Sequence, residues 1–195
     1  MLVFRVFLAA VLALFTGVTA AYAAAGPPAA GIPDAAMIQP DDLGGARPYA
    51  ADDESFPALR PPRPCGLAVR APVADRAVSA VIDVDQGPEV VLEYVALHRP
   101  GGARDYLRDL RTALRTCDDD TWRLLVTAPD RLVLRWTRSW EHVGEQITHH
   151  TFVAIARTGP TIVLVADAGW ETGDGDRDRA EKVLSRALPR AAVLR

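Results

Sequence analysis

Two stretches of the chain alternate apolar with polar residues in the manner of β-strands that bury one face. Residues 76–84 show this alternation, and residues 89–98 repeat it. The segment Gln-Gly-Pro at 86–88 between them has the residues of a turn. The sequence therefore predicts an antiparallel hairpin at this place.

Helical periodicity occurs twice further along the chain. Leu107, Leu110, Leu114 and Cys117 are three or four residues apart, which places them on one stripe of a helix. Apolar residues recur at the same spacing over 180–188, after a break rich in Gly and Asp. We predict an amphipathic helix at each of these places.

Four segments rich in β-branched and aromatic residues lie between the two predicted helices. They cover residues 122–126, 131–140, 147–157 and 161–167, and short turn sequences separate them. The predicted order is therefore ββ-α-ββββ-α, which is typical of the α+β class. We expect one antiparallel sheet of about six strands with two helices packed on one face.

The N-terminus has the three parts of a cleavable secretory signal. Arg5 supplies the positive charge, an apolar run extends from Val6 to Leu14, and Ala-Tyr-Ala occupies 21–23. We predict that residues 1–23 are removed near Ala23 and that the mature protein is secreted without a membrane anchor. The alternative is an uncleaved anchor, because a spanning helix needs roughly 20 apolar residues and this run approaches that length.

The rest of the chain divides into a tether and one domain. Residues 24–36 consist mainly of Ala, Gly and Pro, a composition that cannot bury a core, and we predict a flexible tether there. A single domain then occupies residues 37–195. Its two cysteines, Cys65 and Cys117, are predicted to form a disulfide, because an even pair in an exported protein is most simply bonded.

One predicted strand carries an unusual mixture of side chains. Leu132, Leu134, Trp136, Arg138 and Trp140 alternate along residues 131–140 and therefore share a face. Such a stripe is either core against the helices or, because an arginine is unusual in a core, part of an open groove for an amphipathic ligand. Tyr94 on an earlier strand is the fourth candidate ligand-binding residue, beside Trp136, Arg138 and Trp140.

Metal and cofactor sites are not expected. Adjacent residues of a strand point to opposite faces, so His149 and His150 cannot hold one ion together, and no set of ligands has the spacing of a zinc site. The formal net charge of −3 argues against nucleic acid as a partner, since phosphate binding needs a basic patch.

The sequence contains no known catalytic motif, so we expect no enzymatic activity and assign no catalytic residues. Nucleophile-elbow, phosphate-loop and dinucleotide-binding motifs are all missing from the sequence. An alternative from a different class is a secreted hydrolase that uses Glu141 with His149 or His150, which requires these side chains to meet in a pocket. A further alternative is a protein-interaction domain without a pocket that uses an exposed sheet edge.

The order of these features resembles the PknH-like extracellular sensor domain family, which occurs outside actinobacterial serine/threonine kinases and in stand-alone secreted proteins and lipoproteins. The resemblance rests on an early short turn at 37–44, the Pro-flanked Cys65, and a helix that ends near Cys117, followed by a meander and a closing helix. It implies an α+β fold with a cleft for an unidentified ligand. Family members often carry a second disulfide, which this chain lacks. We therefore expect a sensor-like domain of the cell envelope or extracellular space that binds a small or amphipathic envelope ligand.

Overall fold

The computed structural model describes residues 31–52, 54–85, 87–118 and 120–194. The predicted signal, residues 1–23, lies outside this part of the chain. The strands are β1 (Tyr49–Ala50), β2 (Ala74–Val84), β3 (Gly87–Leu97), β4 (Trp122–Ala128), β5 (Arg131–His142), β6 (Glu145–Thr158) and β7 (Thr161–Asp167). The helices are α1 (Gly102–Thr116) and α2 (Arg177–Ala191), and three short 3₁₀ turns cover Asp34–Ala36, Pro40–Leu43 and Pro64–Gly66.

All seven strands form one antiparallel sheet in the order β1-β2-β3-β7-β6-β5-β4. The predicted hairpin is confirmed as β2 and β3, whose register ends with Val84 opposite Gly87. The predicted meander is confirmed as β4 to β7. The two units join where β3 pairs with β7. The α+β class is therefore correct, but the sheet has a seventh strand, because the two-residue β1 lies within a segment that the sequence indicates as loop.

The two helices lie on opposite faces of the sheet, which corrects the expectation that they share one. Ala103, Tyr106, Leu107 and Leu110 of α1 pack with Leu92 and the other even-numbered core residues of β3. Ala180, Val183, Leu184 and Ala187 of α2 pack with Val91 and Val95 on the other side of the same strand. We call these the α1 face and the α2 face. Because both are covered, the central strands carry mainly apolar residues on both sides.

Local sequence explains where each helix begins. Helix α1 follows Gly101, whose φ of 84° lies in the left-handed region that glycine adopts without strain. Helix α2 follows Asp176, whose side chain accepts a hydrogen bond of 2.9 Å from the backbone N–H of Arg179. This capping bond satisfies one of the backbone donors that the first turn of a helix leaves free.

The N-terminal strap, residues 31–45, packs on the α2 face. Ile32 and Ala36 are buried in its core, although the sequence indicates a flexible tether up to residue 36. The packed part of the chain thus begins earlier than predicted. Arg190 of α2 holds the strap through Asp42, with its Nε 2.8 Å from Oδ2. The backbone N–H of Ile38 donates to Glu93 of β3 at 2.7 Å.

The predicted disulfide between Cys65 and Cys117 is present, with the two Cα atoms 6.1 Å apart. It joins the segment before β2 to the residue that directly follows α1. The hydroxyl of Tyr106 in α1 donates to the carbonyl oxygen of Pro62 in the same segment at 3.3 Å. The loop that crosses the α1 face is therefore attached to α1 by a covalent bond and a hydrogen bond.

Candidate functional site

The α1 face is open at one end, beyond α1, and a cleft of about 250 Å³ lies there. We call it the Arg138 cleft; its lining residues are Phe56, Val90, Arg138, His149, Ala168, Gly169, Trp170 and Glu171. Strands β3, β5 and β6 supply its floor. The loop around Phe56 and the loop after β7 supply its walls. The cleft therefore depends on strands that are far apart in sequence and meet only in the folded sheet.

Arg138 lies among three aromatic rings. Its guanidinium carbon is 4.8 Å from the ring centroid of Trp136, 5.8 Å from that of Trp140 and 5.7 Å from that of Phe56. Trp136 and Trp140 precede and follow Arg138 by two residues, so the alternation of the strand puts all three on one face. Each ring in this position attracts the cation through its electron-rich face.

The charge of Arg138 has no counter-ion within the described part of the chain. None of the ion pairs between described residues includes Arg138. Its Nε is buried and has no hydrogen-bond partner among the residues that the structure describes. Burial lowers the pKa of Arg138, because the charged form loses contact with water. The aromatic rings are thus the groups that stabilise this cation.

His149 lies directly opposite Arg138 on the neighbouring strand β6. The imidazole is 1% exposed, and its ring centroid is 5.8 Å from that of Trp140. Burial, and next the charge of Arg138, lower the pKa of His149, while Asp174 opposes that change. Nδ1 is buried and has no hydrogen-bond partner among the described residues. The cleft is therefore lined by an imidazole that is neutral at neutral pH.

The loop after β7 is attached to strand β3 at the floor of the cleft. Val90 donates its N–H to the carbonyl of Gly169 at 3.0 Å and accepts from Ala168 at 2.9 Å. Gly169 has a φ of 63°, and a Cβ at this position would lie 2.1 Å from the carbonyl oxygen of Gly173. Only glycine fits there without displacing the loop. Trp170 next to it is 41% exposed and forms an apolar side of the cleft.

Trp136, Arg138 and Trp140 do share a face, but Tyr94 is not part of the same site. Tyr94 is 2% exposed, and its hydroxyl donates to Asp75 at 3.0 Å. The register aligns Tyr94, through Leu164 and Ile155, with Leu132. This level is about 20 Å along the strands from Arg138. Tyr94 is therefore a core residue beneath α1, which corrects its assignment as a ligand-binding candidate.

The residues of the hydrolase alternative do not converge. Glu141 lies opposite Gln146 and is exposed. It shares a face with His150, but His150 lies opposite Thr137, about 13 Å along the strand from Glu141. The Nδ1 of His150 is 3.1 Å from the hydroxyl of Thr137. His149 points to the other face, so neither histidine meets Glu141.

Within the described ranges, no group of three or more His, Cys, Asp or Glu residues could hold a metal ion, and no helix there is long and apolar enough to cross a membrane. Strand β4 is an edge strand, but its pairing with β5 is interrupted between Leu124 and Val126. Such a bulge makes an edge a poorer template for another strand.

Sequence reasoning missed the walls of the cleft. Phe56 lies in a Pro-rich loop without periodicity, and Trp170 follows the predicted strand in a Gly/Asp-rich turn. A large aromatic residue in each of two loops of small and polar residues was the available signal.

Comparison of the chain with protein-family models, with curated proteins and with solved structures gave no match. The relation to the PknH-like family therefore stays a prediction.

Proposed function

We propose that the chain is a secreted, non-enzymatic binding module of the cell envelope or extracellular space that holds a small or amphipathic ligand in the Arg138 cleft. The observation that carries the proposal is the guanidinium of Arg138, which lies among three aromatic rings, lines the cleft and has no counter-ion in the described part of the chain. A half-buried cation left in this state costs free energy that a bound ligand can recover. Apolar walls with a few polar groups are the usual composition of small-molecule sites.

The disulfide supports the proposed location. Disulfides persist in oxidising compartments and are rare in reducing ones, and Cys65 and Cys117 are bonded. The proposed signal at residues 1–23 gives the route out of the cell. The resemblance to the PknH-like sensor domains supports a role in ligand binding, and the chain would then bind or carry its ligand as a released domain.

Native mass spectrometry of the protein, purified from the culture supernatant of its own organism, tests the proposal. We expect a mass that corresponds to cleavage near Ala23, one intact disulfide, and an additional mass from a retained ligand. The absence of a retained ligand together with a mass that includes residues 1–23 would contradict both parts of the proposal.

A pair of variants locates the ligand. Val90→Trp fills the Arg138 cleft and is expected to abolish the additional mass. Val73→Trp is the matched control, since Val73 is 46% exposed and lines a different cavity, beside His98. Circular dichroism checks that both variants fold. Loss of the ligand in Val73→Trp alone would show that the ligand binds in the cavity beside His98 instead.

A further inference from the structure

The structure points to the chemical class of ligand: we propose that the Arg138 cleft selects a small monocarboxylic acid, with its carboxylate on Arg138 and an aromatic or short aliphatic body against Phe56 and Trp170. This inference rests on the proposed binding function and adds the ligand's charge, head group and size.

We infer the head group of the ligand from the missing carboxylate partner of Arg138. Two other half-buried arginines have carboxylate partners: Arg179 pairs with Asp167 at 2.9 Å, and Arg190 with Asp42 at 2.8 Å. Arg138 has no carboxylate partner among the described residues, and its buried Nε has no acceptor there. A planar guanidinium binds a carboxylate through two parallel hydrogen bonds, and the rings beside it exclude water that would weaken them. A carboxylate thus supplies the partner that the protein itself does not.

The charged residues around the cleft favour a ligand with one negative charge over a ligand with two. Arg138 is the one cation among the lining residues, and Glu171 is an acidic residue at the exposed side. His149 is neutral because burial and the charge of Arg138 disfavour a proton there. Asp174 adds negative potential near His149. A phosphate dianion would meet this acidic surrounding with a single counter-charge, whereas a carboxylate is neutralised by Arg138 alone.

The body of the ligand follows from the walls and the volume. Phe56, Val90, Ala168 and Trp170 offer apolar surface. The backbone polar groups of Gly169 are occupied, since its N–H donates to Asp167 and its carbonyl accepts from Val90. Few hydrogen bonds therefore remain for a polar body. The volume of about 250 Å³ is below the roughly 300–1,000 Å³ of sites for drug-sized ligands, which limits the ligand to a small acid.

Calorimetric titration of the mature protein with matched probes tests the inference. Phenylacetate and hexanoate are the acids, phenylacetamide and hexanamide their neutral counterparts, and phenyl phosphate the dianion. We expect both acids to bind at least about 10-fold more tightly than their amides, because a hydrogen bond to a charged group adds this much. We expect phenyl phosphate to bind more weakly than phenylacetate.

Variants of two arginines on strand β5 test whether the preference for acids over amides depends on Arg138. Arg138→Gln is expected to lower the affinity for phenylacetate by about 10-fold or more and to remove its advantage over the amide. Arg138→Lys keeps the charge but loses the paired donors, so we expect an intermediate affinity; it also serves if the Gln variant does not fold. Arg135→Gln is the matched control, because Arg135 lies on the α2 face with an unpartnered Nε of its own.

The outcomes separate this inference from the proposed function. Equal binding of acids and amides, or tighter binding of phenyl phosphate, overturns the monocarboxylate and leaves the cleft as a binding site. Failure of every probe, while Val90→Trp still removes the natural ligand, also overturns it and leaves the function intact. Failure of every probe in a protein that retains no natural ligand contradicts both.

Discussion

At the scale of single residues, two ionisable side chains, Arg138 and Glu93, lie in surroundings that disfavour their charged forms. Arg138 is compensated by aromatic rings on the α1 face, whereas Glu93 is fully buried on the α2 face. Glu93 accepts a hydrogen bond from Ile38, and its Oε1 has no partner among the described residues. Burial raises the pKa of Glu93 from the ordinary 4.5 to about 8, against the opposing effect of the Ile38 N–H. This carboxyl group is therefore protonated in the folded protein at neutral pH.

Glu93 makes the stability of the protein depend on pH. The unfolded chain releases this proton near pH 4.5 and the folded chain holds it up to about pH 8, so the free energy of unfolding falls as the pH rises through this window. Glu93→Gln keeps an acceptor for Ile38 without a charge. We expect the stability of the variant relative to the wild type to be greater at pH 8 than at pH 4, where Glu93 is protonated in the folded chain and mostly protonated in the unfolded chain, measured by urea denaturation. Glu145→Gln, at an exposed position of β6, is the control and is expected to change neither value.

At the scale of elements, the loop between β1 and β2 connects the disulfide with the cleft. This loop carries Phe56 over Arg138 and continues to Cys65, which is bonded to Cys117 at the end of α1. Leu59 between them is fully buried on the α1 face. Two attachments therefore follow the cleft wall along the chain, first the buried Leu59 and then the disulfide.

Removal of the disulfide is expected to destabilise the fold and to loosen this wall. The cysteines are 52 residues apart, and closing such a loop stabilises the folded state by about 4 kcal/mol in the chain-entropy account, with about 2–4 kcal/mol commonly observed. We expect the double variant Cys65→Ser/Cys117→Ser to lose this amount in urea denaturation and to be cut faster by protease within residues 51–73. Wild-type protein treated with reductant is expected to behave in the same way. A double variant as stable as the oxidised wild type would show that Leu59 alone fixes the loop.

At the scale of the whole molecule, periodicity predicted the elements but not the side of the sheet on which each helix lies. The alternation along β3 identifies two sets of residues, and both sets are mainly apolar, as Val91 and Leu92 illustrate. Strand β7 is buried at every position. These two strands carried the signal that both faces are covered. Which helix covers which face depends on the path of the chain between β3 and β4, and no local pattern encodes that path.

The parts of the site that could be predicted lie on a strand, and the parts that could not lie in loops. Trp136, Arg138 and Trp140 follow from the period of two along β5. Phe56 and Trp170 lie in irregular segments, where side-chain position depends on contacts distant in sequence. Ile32 was missed for a related reason: one apolar residue among Ala, Gly and Pro gives no periodicity, although it is buried against the rest of the core.

The N-terminal strap is expected to be an integral part of the domain. Ile32, Met37, Ile38 and Leu43 are buried on the α2 face, and burial of each such side chain contributes about 1.5–3 kcal/mol. A chain that starts at residue 46 is therefore expected to unfold at a temperature at least about 10 °C lower than one that starts at residue 31, or not to fold at all. Thermal unfolding followed by circular dichroism measures the difference. Equal midpoints would make the strap an accessory segment.

Because β3 pairs with β7, one edge of β3 has no partner while the rest of the chain is being synthesised. Strand β3 is complete at Leu97, but its partner begins at Thr161, on the far side of α1 and three further strands. At about 5–20 residues per second, the roughly 60 intervening residues take on the order of 3–12 seconds to synthesise. During that interval one edge of an almost wholly apolar strand has no partner, and such an edge is a template for aggregation. The β2–β3 hairpin of the newly made chain is therefore exposed to aggregation until β7 has been made.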